Sequence, residues 1–276
     1  MSPHSRFRER GYGLESRITS AISPGISVVV MNTRTKNVLL LMAAVIAVVL
    51  AGFAGRQLAP AGAGTTSAPE PGFTDRFLIE SCTFSTTGSN PFFILEPNYR
   101  LTLRGDEDGT VVEHIATVLN ETRVVDGVET RVVEERGVEG GQVVEIARNY
   151  FAICTQTNSV FYFGEDVDMY ADGQLVSHNG SWLAGVGGAR PGLFMPGVVT
   201  LGSRYFHEIA PNVAMDRAEI LSVGEEVDTP AGTFANVLMT KETTPLEPSL
   251  IEYKYYTAGI GLIQDGAPVL VEYGYI

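Results

Sequence analysis

The chain has 276 residues, with 19 Lys and Arg against 32 Asp and Glu, for a net charge of −13. That acidity excludes a phosphate-neutralising surface for nucleic acid, because no basic stripe is present. The charge is also unevenly placed: up to Ala63 there are seven basic and two acidic residues, which leaves −18 for residues 64–276.

Residues 1–37 form a basic N-terminal region, followed at 38–54 by an apolar run. Positive flanks stay in the cytoplasm, so the acidic remainder is expected to be exported. Met31 begins an ordinary export signal, with a short n-region, the apolar core and Ala61-Gly62-Ala63 as a candidate cleavage site; residues 1–30 are then an over-extended reading frame or a cytoplasmic tail. Seventeen helical residues span about 25 Å, against a hydrocarbon core of about 30 Å, so the run reads equally as a cleaved signal or as a single-span anchor helix. Leu50-Ala51-Gly52 opens like a lipoprotein processing site, but Phe53 stands where the acylated Cys belongs. The expected address is the bacterial periplasm or cell surface. The chain is secreted if cut, and otherwise membrane-anchored through residues 38–54 with its N-terminus in the cytoplasm.

Residues 55–72 are rich in Ala, Gly, Pro, Ser and Thr and read as a flexible linker. Residues 73–276 form one block, large enough for a single core. The only cysteines, Cys82 and Cys154, both fall in it. In an oxidising compartment such a pair is first read as a disulfide.

The block is punctuated by Asp108-Gly109, Asp126-Gly127, Asp172-Gly173, Asn179-Gly180 and Asp265-Gly266, dipeptides suited to type I′ hairpin turns. Between them lie short segments rich in Val, Ile, Thr, Tyr and Phe. In residues 251–257 (I-E-Y-K-Y-Y-T), Ile251, Tyr253 and Tyr255 share one face, and Glu252, Lys254 and Tyr256 share the other, which is strand periodicity. Helical periodicity is nearly absent. The expected fold is all-β: a single curved antiparallel sheet, half-barrel or barrel, with ten or more strands.

Chemistry-bearing motifs are sparse. No G-x-S-x-G elbow occurs, and His114, His178 and His207 have no zinc spacing. Asp166, Asp168 and Asp172 beside Glu165 are candidate calcium ligands, but Tyr170 and Ala171 interrupt the pattern. His207 and Glu208 are adjacent, so on a regular strand they point to opposite faces. Residues 185–192 (G-V-G-G-A-R-P-G) form a glycine-rich loop in which Arg190 is a candidate anion clamp.

Aromatic residues recur on the predicted strands. With no amphipathic helix to cover it, a concave sheet face needs a tenant. Phe161, Phe163, Trp182, Tyr205, Tyr253 and Tyr255, with Arg190, are therefore the candidate ligand-binding residues. The expected function is a non-enzymatic binding module for an apolar small molecule, a lipid or a partner segment, with no cofactor. The alternatives are a structural or interaction protein of the cell envelope with a filled core and no small ligand, and an acid–base or metal enzyme using Asp166, Asp168, His178, His207 or Glu208.

Two C-terminal motifs, V-D-T-P-A-G-T-F at residues 227–234 and K-Y-Y-T-A-G-I-G-L at 254–262, resemble those of a family of bacterial exported proteins of unknown function. F-Y-F-G-E-D at 161–166 and G-S-W-L-A-G at 180–185 extend the likeness over residues 90–263. The resemblance implies a curved sheet like those of periplasmic lipoprotein carriers, and hints at ligand binding. It carries no catalytic residue.

Overall fold

Asp108-Gly109, Asp126-Gly127 and Asp172-Gly173 each hold two successive positive φ angles, of 51° and 83°, 48° and 79°, and 52° and 72°. Each reverses the chain between antiparallel neighbours, as type I′ turns require. Two of the dipeptides behave differently. At Asn179-Gly180 only the glycine is at positive φ, and the flanking strands pair with a common neighbour instead of with each other. Asp265 stays on its strand, where its N–H donates to Pro268 O at 3.0 Å, so that turn is longer.

The computed structural model describes residues 72–276. The basic region, the apolar run at 38–54 and all of the linker but Gly72 lie outside the described residues. A short 3-10 turn, η1 (Ile79–Ser81), precedes β1 (Phe84–Ser85), β2 (Gly88–Asn90), β3 (Phe93–Leu95), β4 (Tyr99–Glu107), β5 (Thr110–Val125) and β6 (Val128–Glu139). There follow β7 (Gln142–Cys154), β8 (Ser159–Ala171), β9 (Gln174–Ser177), β10 (Trp182–Leu183), β11 (Arg190–Met195), β12 (Arg204–Phe206) and β13 (Glu208–Ile209). The chain ends with β14 (Arg217–Thr229), β15 (Gly232–Thr244), β16 (Glu247–Thr257), β17 (Gly261–Asp265) and β18 (Val269–Tyr275). No α-helix occurs among the described residues.

These strands build one large, open antiparallel sheet with the order β12-β14-β15-β16-β17-β18-β4-β5-β6-β7-β8-β11-β13. The terminal strands of that path are successive pieces of one segment, residues 204–209. Its first half pairs with β14 through Tyr205 and Ala218, and its second half pairs with β11 through Glu208 and Pro191. His207 is the hinge between them. One chain segment thus passes from one end of the sheet to the other, which forces the sheet to curve around its inner face.

The P-A-G-T-F motif is the β14–β15 hairpin, with Thr229 opposite Gly232 and only Pro230 and Ala231 in the loop. In the K-Y-Y motif, Gly261 stands at φ 114°, and a Cβ there would touch Leu101 Cδ1 and Phe92 O at 3.5 Å. Both motifs serve the architecture. The β2–β3 hairpin is an inward stopper, pinned by the fully buried Asn90. That amide donates to Asn158 O at 2.8 Å and Pro196 O at 3.0 Å. Pro91 O accepts from Gly259 N at 2.7 Å on the facing turn.

The disulfide expected from the cysteine pair is present, with Cα atoms 5.1 Å apart. It continues the β1–β7 pairing, in which Phe84 stands opposite Cys154. A covalent loop of this length removes about 4 kcal/mol of chain entropy from the unfolded state.

Candidate functional site

Strand alternation puts Tyr99, Leu101 and Leu103 of β4, then His114, Ala116 and Val118 of β5, on the inner face. They line a cavity of about 140 Å³ that is shared with β6–β8, β16, β17 and the stopper hairpin. Cross-strand register grades its wall. Val118, Val133, Asn149 and Glu165 stand opposite one another across four neighbouring strands, running from apolar to polar.

The apolar wall is aromatic. Phe93 from the stopper lies 5.1 Å from Phe151 and 5.3 Å from Phe194, and Phe151 stacks on Tyr162 at 4.7 Å. Phe194 in turn meets the His207 ring at 5.0 Å. Such ring pairs each add about 1 kcal/mol beyond their area burial.

The polar wall carries Glu135, Glu165, Glu208, Asp216 and Glu242, with His114, His207 and Lys254. Lys254 Nζ lies 3.2 Å from Glu242 Oε2 and 3.5 Å from Asp265 Oδ2. Burial alone lowers Lys254, but Asp265 and Glu242 outweigh it and hold the ammonium well above its usual range. Burial also raises Glu242, yet Lys254 and His207 bring it below the carboxylate norm. Asp265 stays raised by its burial, with Lys254 and His114 acting against it, and the Lys254–Glu242 contact is the shorter of the two. His114 Nε2 stands 3.6 Å from Glu135 Oε2, an ion-pair distance too long for a hydrogen bond. Burial lowers His114, the Glu135 carboxylate more than offsets this, and Glu135 itself is depressed in spite of its own burial.

The remaining acids have no cation of their own. Glu208 is pushed well up by burial and by the neighbouring Asp216, whose backbone N–H donates to Glu208 Oε1 at 2.5 Å. Asp216 rises to about 7 through burial and the charge of Glu242. Glu165 is raised well above the norm by burial and by Glu145 and Glu135. Burial keeps His207 below its usual value, against the pull of the Glu242 carboxylate. The wall therefore offers protonatable carboxyls, an imidazole of lowered proton affinity and phenols. Among the described residues no three His, Cys, Asp or Glu side chains converge closely enough to hold a metal ion.

None of the seven residues singled out from the sequence lines this cavity. Phe161 and Phe163 turn away from Tyr162, and Phe77 and Phe84 of the lead-in segment pack edge-on against them at 5.2–5.8 Å. Trp182 sits behind the wall, edge-on to Tyr162 at 5.2 Å. Tyr205 is buried 5.8 Å from His207. Tyr253 is 42% exposed and Tyr255 half-buried on the face opposite Lys254. Arg190 is held by Asp75, through its carbonyl at 3.1 Å and its carboxylate at 3.4 Å.

The acidic trio is dispersed. Asp166 binds Arg123 and the Tyr150 hydroxyl, Asp168 lies 2.7 Å from the exposed His178, and Asp172 occupies the β8–β9 turn. His207 and Glu208 correct the expectation of opposite faces: both line the cavity, because the strand breaks at His207. The residues that sequence reasoning passed over are His114, Glu135, Asp216, Glu242 and Lys254. Their one legible signal is the E-x-K-x-Y face of residues 252–256.

No family model matches this chain, and neither a curated protein nor a solved structure matches it.

Proposed function

We propose that the domain is a non-enzymatic binding module that works outside the cytoplasm and holds a small molecule inside its curved sheet. The observation that carries this reading is the cavity of about 140 Å³, with phenylalanine rings on one wall and ionisable groups on the other. A purely structural protein gains nothing from leaving such a space, because each void forfeits packing contacts. Binding pockets combine an apolar lining with a few convergent polar groups. A cavity of about 150 Å³ accommodates benzene, so the guest is ring-sized and far smaller than a lipid chain. The Cys82–Cys154 bridge supports an oxidising compartment, and the resemblance to carrier-like exported domains agrees with both points.

Native mass spectrometry of the exported chain, purified from its own host, tests the reading. A reproducible added mass that is lost on collisional activation is expected. A bare protein mass at every preparation, with no small molecule retained, sinks it.

A further inference from the structure

We infer that the guest is a small organic cation, with its ammonium group seated against Glu208, Asp216 and Glu165 and its apolar body against Phe93, Phe151 and Phe194. This rests on the binding-module reading and adds to it the chemical class of the ligand.

The first support is charge accounting within the cavity. The wall's cations are spoken for: Lys254 is held by Glu242 and Asp265, His114 by Glu135, and burial lowers the proton affinity of His207. Asp216 and Glu165 both raise Glu208, Asp216 raises Glu165, and none of the three is in an ion pair among the described residues. Tyr162 and Tyr256 face the same space as un-ionised phenols. Burying carboxyls without a cation is costly. An entering ammonium removes that cost and supplies charge-assisted hydrogen bonds.

The second support is an orphaned acceptor. Asp216 Oδ1, on the cavity wall, is buried without a hydrogen-bond partner. Folded proteins leave few buried polar atoms unpaired, so this oxygen marks a space shaped for a guest that donates. A metal ion does not fit the role, because no three such side chains converge among the described residues. An ammonium bears several N–H donors and tolerates spaced carboxylates. The aromatic wall suits a ring-sized body.

The test is calorimetric titration of the full chain with three probes of one shape: benzylammonium, benzyl alcohol and benzoate. At about pH 8, benzylammonium is expected to bind at least about tenfold tighter than benzyl alcohol, the difference made by one charge-assisted contact. Benzoate is expected not to bind. At about pH 6, binding of the cation should release protons, read from the dependence of the heat on buffer ionisation, because the acids must ionise to receive it. Asp216→Asn and Glu208→Gln, checked for an intact disulfide and a cooperative melt, should abolish the preference for the cation.

Equal binding of benzylammonium and benzyl alcohol, tighter binding of benzoate, or cation uptake without proton release overturns the cation assignment and leaves the binding module standing. No binding by any probe overturns the cation assignment too. If native mass spectrometry also finds no guest, the module reading falls with it.

Discussion

His207 and Glu208 are neighbours in the chain, yet both line one cavity, because the backbone leaves β12 at His207 and enters β13 at Glu208. Two ladders end at this hinge, one to β14 and one to β11. Gly192 on β11 is what lets the segment approach: a Cβ there would lie inside contact distance of the carbonyls of Phe206 and His207. Gly192→Ala is expected to force the hinge outward and lower the urea midpoint, with lost amide-exchange protection concentrated at residues 204–209. Protection lost evenly over the whole sheet would show that the hinge is not a local weak point.

Lys254 is the lysine of the inner face among the described residues. Lys254→Met leaves Glu242 and Asp265 buried without it and should cost about 3–5 kcal/mol in urea unfolding. The pair replacement Lys254→Met with Glu242→Leu should cost clearly less than the two single changes added together. Simple additivity would mean that the two side chains are not coupled.

Reduction of Cys82–Cys154, or its replacement by alanines, should lower stability by about 4 kcal/mol on chain-entropy grounds. Non-reducing mass spectrometry of the exported chain should find the two residues linked, and two free thiols would contradict the oxidised state.

Asn90 ties the stopper hairpin to two loops. Asn90→Ala strands the carbonyls of Asn158 and Pro196 and should cost about 2 kcal/mol. Faster amide exchange is expected at Phe92, whose N–H bonds Asn90 Oδ1 at 2.9 Å. Unchanged exchange there would deny the stopper its anchor.

Stability should fall as pH rises from about 4 to about 8. Burial, with neighbouring charges, pushes Asp216 and Glu145 up to about 7 and Glu252 to about 8. The folded state therefore holds protons that the unfolded chain has released, and it loses that advantage as these groups ionise. Glu135 and Glu242 have depressed values and act oppositely, protecting the fold above the normal carboxylate range and failing at lower pH. Unfolding free energies at about pH 5 should exceed those at about pH 8, and Glu252→Gln should flatten the slope. A maximum near pH 8 would refute this balance.

Much of the architecture was legible in the sequence because it depends on local chemistry. Three of the four Asp-Gly pairs adopt successive positive φ angles as their local chemistry favours, and alternation over residues 251–257 declared a strand without its neighbours. The cysteine pair and the absence of helical periodicity were equally plain. Which face of that strand turns inward was not local. Apolarity favours Ile251 and Tyr253 for the interior, yet both are substantially exposed, and Lys254 and Tyr256 face the cavity. The partners that make a buried lysine tolerable, Glu242 and Asp265, lie on two other strands and meet it only through register. His207 and Glu208 needed a broken strand, and that break exists only because the two ends of the sheet meet there. The sequence by itself determined an all-β, disulfide-linked, acidic domain. Only the three-dimensional fold brings its acids and Lys254 to line a cavity, because strand register and sheet curvature are cooperative and are written in no single segment.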